Sequence, residues 1–238
     1  KDNHELVGEV DPSYIYINGS AKNIKRIVKN PKFIIILRKP IERAFSHYLM
    51  SCRRGLENYS FIQAILNEPK RLKSKKKNDM NNFTYLDRGN YSSQILEYQK
   101  TFKESSFLFL KFDDLLEKET KKQLIISLFN FLGIKEKYKR NDFDDVHINK
   151  NKTFRFKWFQ GLLYRDSKFK TFFSKIIKNP DLWYRIKNSI EKINLKEQYY
   201  SKDSIYTDLP NNIIDLNNNE ISNLEKITNL DLKHWYIS

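Results

Sequence analysis

The chain has few of the residues, and none of the long apolar runs, that mark several classes of protein. Its 238 residues include one cysteine, Cys52, and only six glycines and six prolines. One cysteine cannot form a disulfide within the chain, which excludes a disulfide-stapled scaffold and favours a reducing compartment. No apolar run reaches the roughly 20 residues that a membrane-spanning helix requires, and residues 1–10 lack the apolar segment of a signal peptide. We therefore expect no transmembrane segment and no export signal in this sequence.

The charge is strongly one-sided. Lys and Arg number 44 against 29 Asp and Glu, which leaves a net charge of +15. Such an excess indicates an anionic partner, and nucleic acid is the first candidate. The basic residues are spread widely, however, and the densest cluster, residues 69–77, is typical of a helix end or a surface loop. Zinc-finger spacing, heptads and RNA-binding aromatic signatures are absent. A nucleotide with several phosphates together with an acidic acceptor would fit the charge equally well, and we expect no nucleic-acid partner.

Hydrophobic patterning predicts one α/β domain. At 39% hydrophobic residues, the 238-residue chain can bury one sizeable core. Residues 33–37 and 107–112 are apolar runs without alternation, which is typical of strands buried on both faces in a parallel sheet. Residues 14–17 form a shorter strand candidate, and a helix capped by Ser20 and closed by Pro31 is predicted to follow it. The order of strand, helix and strand favours a right-handed crossover.

The junction after residues 33–37 is the candidate ligand site. Arg38 leaves the strand, and Pro40 follows at a position that suits the first turn of a helix ending at a cap on Gly55. A ligand at such a corner lies beside the N–H groups of the helix N-terminus, which favour anions. Arg38 can grip a phosphate with its forked guanidinium, and Ser46 can bring a hydroxyl to the same phosphate. An isolated Arg-x-Pro is more often an ordinary strand–helix corner, so the surrounding residues decide between the two interpretations.

Those residues, Arg-x-Pro-x-x-Arg-Ala-x-Ser-His-Tyr over positions 38–48, resemble the 3′-phosphate-binding motif of sulfotransferases that use 3′-phosphoadenosine 5′-phosphosulfate (PAPS). The resemblance implies a P-loop-NTPase-like, three-layer α/β domain with a central parallel sheet flanked by helices. It assigns Arg38 and Ser46 to recognition of the 3′-phosphate of this co-substrate, and it implies that no metal takes part. Asp113 and Asp114 are accordingly expected to serve turn and capping roles instead of binding Mg²⁺.

Three further stretches resemble the family in the same order along the chain. Residues 8–14 resemble its Gly-Glu-x-x-Pro-x-Tyr segment, residues 89–91 its Gly-x-Tyr corner near the cleft, and residues 199–235 its C-terminal pattern ending in Trp. From these resemblances Glu9 and Tyr91 are predicted to bind substrate, although Tyr91 is equally expected to serve packing alone.

The polar, basic residues 147–155 resemble a loop that folds over the nucleotide in this family. The resemblance makes Lys152 and Arg155 candidates for contacts with the phosphates. The alternative for both residues is a charged surface loop. Beyond this loop, residues 154–178 and 182–193 are predicted to be helical because aromatic and aliphatic residues recur at helical spacing.

One part of the family pattern has no counterpart in the sequence. Family members begin with a strand and a phosphate-cradling loop, Lys-x-Gly-Thr-Thr, followed by a segment that carries the catalytic base. Neither is present here, so no catalytic residue is assigned. We expect residues 1–238 to be a single sulfotransferase-like domain that lacks the N-terminal strand and the 5′-phosphosulfate-binding loop. As given, the chain is expected to be weakly active or inactive.

The resemblance predicts a sulfotransferase that moves a sulfuryl group from PAPS to a hydroxyl or amine of a saccharide. The positive charge favours an acidic acceptor. Two alternatives stay open: a noncatalytic basic module that binds a phosphate- or sulfate-bearing ligand, and a nucleotide kinase of related architecture. The abundance of Lys, Asn and Ile suggests a microbial source and a cytoplasmic or membrane-peripheral location. A eukaryotic enzyme of the Golgi lumen would carry an anchor elsewhere.

Overall fold

The structure is a computed structural model that describes residues 6–102, 107–134, 152–154, 195–197 and 203–238, together with parts of 179–189. The chain forms two compact units. The first unit draws its described residues from Lys1–Arg38, Asn90–Lys137 and Leu216–Ser238, and the second draws them from Lys39–Gly89 and Tyr138–Asp215. The prediction of a single domain stays a prediction.

In the first half of the chain, two strands are separated by four consecutive helices. In chain order the elements are α1 (Ser20–Ile27), β1 (Phe33–Leu37), α2 (Pro40–Arg53), α3 (Phe61–Ser74), α4 (Lys77–Asn82), α5 (Tyr91–Thr101), β2 (Phe107–Lys111), α6 (Lys118–Leu132), β3 (Lys152–Phe154), β4 (Leu195–Glu197), α7 (Asp203–Tyr206) and α8 (Asn211–Thr228). Short 3₁₀ turns occupy Asp87–Gly89, Asp113–Leu115 and Lys233–Trp235.

The first unit contains a parallel pair of strands. β1 and β2 pair from Phe33 opposite Phe107 to Leu37 opposite Lys111, which confirms the two predicted strands and their α/β setting. The expectation that β1 is buried on both faces is wrong, because Ile34 is 39% exposed and Ile36 is 48% exposed. Alternate side chains of a strand point to opposite faces, and among the described residues only the face with Leu37 meets the apolar core.

The core of this unit includes the C-terminal tail. Trp235 is fully buried, and its indole N–H donates to the Asp113 carboxylate over 2.9 Å. The C-terminal tail therefore packs against the core, and Asp113 also begins the 3₁₀ turn Asp113–Leu115, in agreement with the turn role expected of it. The buried apolar side chains around Trp235 are Leu37, Tyr91, Ile95, Ile221, Leu224 and Leu232.

Residues 14–17, predicted as a strand, instead form successive turns. The N–H groups of Tyr16 and Ile17 both donate to the carbonyl of Ser13, over 3.1 and 3.0 Å. An Asx turn starts this stretch, because the Asp11 carboxylate accepts the Ser13 N–H at 2.7 Å. Local side-chain hydrogen bonding therefore overrides the β propensity of the apolar residues that follow.

The second unit follows its local sequence signals closely. α2 begins at Pro40 and ends before Gly55, whose φ of +65° allows the left-handed cap that the sequence predicts. α3 begins after Ser60, which forms a reciprocal capping box with Gln63. The basic stretch is the end of α3, so it continues a helix before the chain turns at Lys75 with φ +51°.

Candidate functional site

Arg38 lies where the two parallel strands end. It directly follows β1, and its guanidinium packs over the ring of Phe112 at 5.2 Å, while Phe112 directly follows β2. The Phe112 N–H also donates to the carbonyl of Leu37 over 2.7 Å, which continues the strand pairing by one step. A cation–π contact at this point orients the half-buried guanidinium at the carboxyl edge of the sheet.

The N-terminus of α2 follows Arg38 by two residues. Pro40 occupies the first helical position, and the N-cap residue Lys39 makes no side-chain capping bond within the described part of the chain. The Lys39 ammonium instead lies 4.7 Å from the ring of Tyr206, whose hydroxyl donates to Glu42 over 3.2 Å. The first-turn N–H groups of α2 are therefore not satisfied by their own N-cap side chain, which leaves them suited to an anion.

Ser46 is exposed on α2, in the second unit, whereas Arg38 belongs to the first unit. Because the two residues belong to different units, it stays a prediction that both bind the same phosphate.

Lys152 begins β3, a short strand that pairs antiparallel with β4 and lies next to α2. The Lys152 side chain and all of Arg155 fall outside the described residues.

A buried carboxylate on α3 holds the turn that packs against the first residue of α2. Glu68 on α3 accepts the backbone N–H groups of Leu86 and Asp87 over 2.7 and 2.8 Å. Burial raises the pKa of Glu68 to about 7, although both hydrogen bonds act in the opposite direction. Gly89, three residues beyond Leu86, packs so closely on Pro40 that a Cβ at Gly89 would lie 3.4 Å from the Pro40 Cβ.

Sequence reasoning missed Glu68, although a signal existed. The apolar face of α3 carries Phe61, Ala64 and Ile65, and Glu68 falls on the same face at helical spacing. A carboxylate on an apolar face must find hydrogen-bond partners from elsewhere in the fold. The sequence could have flagged such a group, but it could not have named its partners.

His47 lies within the central motif, and it is neutral at physiological pH. Burial lowers the pKa of His47 to about 3, with Arg43, Arg88 and Arg54 adding to the effect. An imidazole in this environment neither carries a positive charge toward a phosphate nor accepts a proton readily. The lowered pKa does not favour His47 as a catalytic base, and its edge-on ring contact with Tyr85, at 5.2 Å between centroids, indicates packing.

The predicted substrate ligands have different surroundings. Glu9 is exposed and accepts a hydrogen bond from the Tyr14 hydroxyl over 2.8 Å. Tyr91 is buried in the apolar cluster around Trp235, at the start of α5. That helix start is fixed by Glu220 of α8, which accepts the Ser92 N–H and hydroxyl at 2.7 Å each. Substrate contact by either residue stays a prediction.

The described residues contain neither a metal-binding cluster nor a membrane-spanning helix. Across the described residues, no three His, Cys, Asp or Glu side chains converge in a way that could hold a metal ion. Asp114 lies 3.6 Å from the Lys111 ammonium. No helix in the described part of the chain is both long and apolar enough to cross a bilayer.

Comparisons with known proteins agree on one family. The family model described as "Sulfotransferase domain" matches residues 21–180. The "Membrane-associated sulfotransferase kil1" of Dictyostelium discoideum is 40% identical over 73 residues, which cover 28% of this chain and 16% of that protein.

A solved structure shows the same fold. The crystal structure of a sulfotransferase from Alicyclobacillus acidocaldarius superposes with a TM-score of 0.58 at 17% identity, covering 94% of this chain and 64% of that one. The likeness supports the predicted P-loop-like α/β fold class. The chain spans less than two thirds of the length of both relatives.

Proposed function

Because the chain belongs to the sulfotransferase domain family, we propose that it moves a sulfuryl group from PAPS to a hydroxyl or amine of a saccharide. One observation carries the proposal. Arg38, at the carboxyl edge of the parallel strands, is followed after two residues by a 14-residue helix whose N-cap has no side-chain capping bond in the described structure. The family model spans this junction, from residue 21 to residue 180.

In the proposed site, Arg38 and Ser46 bind the 3′-phosphate of the co-substrate. The Arg38 guanidinium offers two parallel N–H donors to phosphate oxygens, and the Phe112 ring limits its orientations. Ser46, exposed on α2, supplies a hydroxyl donor. Lys152 and Arg155 are proposed to contact the remaining phosphates, and the position of β3 next to α2 supports this assignment for Lys152.

Binding of the co-substrate and transfer of its sulfuryl group are separate tasks in the proposed reaction. The co-substrate supplies the sulfuryl group, which passes in line to the acceptor and leaves the nucleotide phosphate behind. Arg38, Ser46 and the first turn of α2 act on the 3′-phosphate, remote from the sulfur, so they position the donor. Glu9 is proposed to contact the acceptor because its carboxylate is exposed. No residue is assigned as base. The first test is therefore binding, not turnover.

The proposed site predicts discrimination by the 3′-phosphate. We expect 3′-phosphoadenosine 5′-phosphate to bind at least about tenfold more tightly than adenosine 5′-phosphate, because one further phosphate gains charge-assisted hydrogen bonds. Isothermal titration calorimetry of the chain with both nucleotides measures the ratio. Equal affinities would refute a 3′-phosphate site. Binding of inorganic sulfate or phosphate as tightly as either nucleotide would instead support a noncatalytic anion-binding module.

The net charge of +15 predicts preference for an acidic saccharide. The chain is expected to bind a uronic-acid polysaccharide more tightly than a neutral glucan, and the difference in affinity should shrink as salt is raised from 50 to 300 mM. Calorimetric titration with the two polymers at matched sugar concentration measures this difference. An affinity ratio independent of salt would contradict an electrostatic preference, and equal affinity for both polymers would contradict an acidic saccharide acceptor.

A further inference from the structure

Glu68 is a buried carboxylate that lies outside the proposed phosphate site. Its side chain is on α3 and the residue is only 2% exposed. Its two oxygens divide between two backbone donors, since Oε2 accepts the Leu86 N–H and Oε1 accepts the Asp87 N–H. Leu86 immediately precedes the 3₁₀ segment Asp87–Gly89, and Asp87 is the first residue of that segment. One carboxylate therefore fixes the backbone of this turn.

The same turn meets the first turn of α2. The Arg43 guanidinium, on α2, donates to the carbonyl of Tyr85, immediately before the two residues that Glu68 holds. At the other end of the turn, Gly89 contacts Pro40, the first residue of α2. The turn is thus attached to α3 by Glu68 and packed against the start of α2 at both of its ends. A shift of the turn must be accommodated by the first residues of α2.

Building on the proposed function, we infer that Glu68 is a positioning residue for the nucleotide site. By holding residues 86–89 against Pro40, its ionised carboxylate fixes the first turn of α2 for an anionic ligand. Glu68 acts through the turn and does not touch the nucleotide. The ionised form is the effective one, because hydrogen bonds to a charged acceptor are roughly twice as strong as those to a neutral one.

The ionisation of Glu68 then couples nucleotide affinity to pH. Burial raises the pKa of Glu68 to about 7; Asp87, on the turn it holds, raises it further, and Arg43, on α2, lowers it. A raised pKa means that Glu68 stabilises the folded chain most below its usual value of 4.5, and that this contribution is lost as pH rises through about 7. Ligand affinity should change in the opposite direction, because only the ionised carboxylate holds the turn firmly.

The test is a pH series of calorimetric titrations with 3′-phosphoadenosine 5′-phosphate. Glu68→Gln keeps the size of the side chain but aims an NH₂ group at one of the two backbone N–H donors. We expect it to bind about tenfold more weakly than the unaltered chain at pH 8, and only about twofold more weakly at pH 6. Protonation of the nucleotide near pH 6 affects both proteins equally, so the ratio of their affinities isolates Glu68.

Glu119 is an exposed carboxylate on α6, so Glu119→Gln is the matched control. This variant should bind the nucleotide with the affinity of the unaltered chain at every pH. An affinity ratio for Glu68→Gln that stays constant with pH would overturn the inference, because a purely structural loss does not follow the ionisation of Glu68. If Glu68→Gln does not fold, Glu68→Asp shortens the side chain, and its affinity is compared with that of Glu119→Gln; a ratio of these two affinities that stays constant between pH 6 and pH 8 also overturns the inference. If the unaltered chain binds no nucleotide, the proposed function itself is contradicted, and the inference that rests on it is contradicted with it.

Discussion

Replacing Arg38 with alanine should weaken binding of 3′-phosphoadenosine 5′-phosphate about a hundredfold. A forked guanidinium makes two charge-assisted hydrogen bonds to a phosphate, and about 3 kcal/mol for the pair corresponds to that factor. Arg38→Lys keeps the charge without the fork, so it should recover about a tenth of the original affinity. Calorimetric titration of the three proteins at one ionic strength measures both effects.

Two controls separate recognition from stability. Arg26→Ala removes an exposed arginine from α1 and the same unit of net charge, so it should leave affinity within about twofold of the original, as expected for a screened charge outside the site. Arg38 also packs on Phe112, so thermal unfolding must show that Arg38→Ala remains folded. Nucleotide binding by folded Arg38→Ala at the original affinity would remove Arg38 from the site.

The sequence predicts the strand–helix corner well because its signals are local. The apolar run of β1, the proline at the first position of α2 and the glycine beyond its end each act within a few residues. The same holds for the Ser60–Gln63 capping box, in which both hydrogen bonds span three residues. The local structure that such short-range signals specify depends little on the conformation of the rest of the chain.

Burial and partner choice are less accessible to sequence reasoning because they depend on distant residues. Ile34 and Ile36 look like core residues, but their exposure is decided by what packs on that face of β1. Glu220 and Ser92 are 128 residues apart, and no local pattern joins a carboxylate on α8 to the start of α5. The site follows the same rule: Arg38 and Ser46 belong to a recognisable motif, whereas Glu68 acts through residues 18 and 19 positions away.

The second large effect is expected from Arg71, which pairs with the buried Glu57. Two guanidinium nitrogens of Arg71 lie 2.5 and 3.0 Å from the two Glu57 oxygens, and the Glu57 side chain is 1% exposed. Arg71→Ala should lower the free energy of unfolding by about 3–5 kcal/mol, because it leaves a buried carboxylate without its counter-charge. The guanidinium also packs 4.2 Å from the Phe83 ring, so part of this loss is packing. Urea denaturation at pH 7 measures it.

Two comparisons show whether the unpaired charge causes the loss. Lys73→Ala removes an exposed cation from the same helix and should change stability by less than about 0.5 kcal/mol. Arg71→Met combined with Glu57→Gln removes both charges and should cost less than Arg71→Ala alone, since no buried charge is stranded. If the double variant is as unstable as Arg71→Ala, lost packing is the cause.

The pH dependence of Arg71→Ala completes the argument. In the unaltered chain, burial alone would raise the pKa of Glu57, but hydrogen bonds from Arg71, the Tyr59 N–H and Tyr85 hold it below 4.5. Glu57 therefore stabilises the fold above pH 4.5, and this contribution is lost as pH falls through its lowered pKa. Without Arg71 the burial effect dominates, the pKa rises, and protonation relieves the stranded charge. The deficit of Arg71→Ala should consequently be largest at pH 7 and shrink toward pH 4.5. A deficit that is constant between these two pH values would show that Glu57 stays paired without Arg71, through Tyr85 and the backbone donors alone.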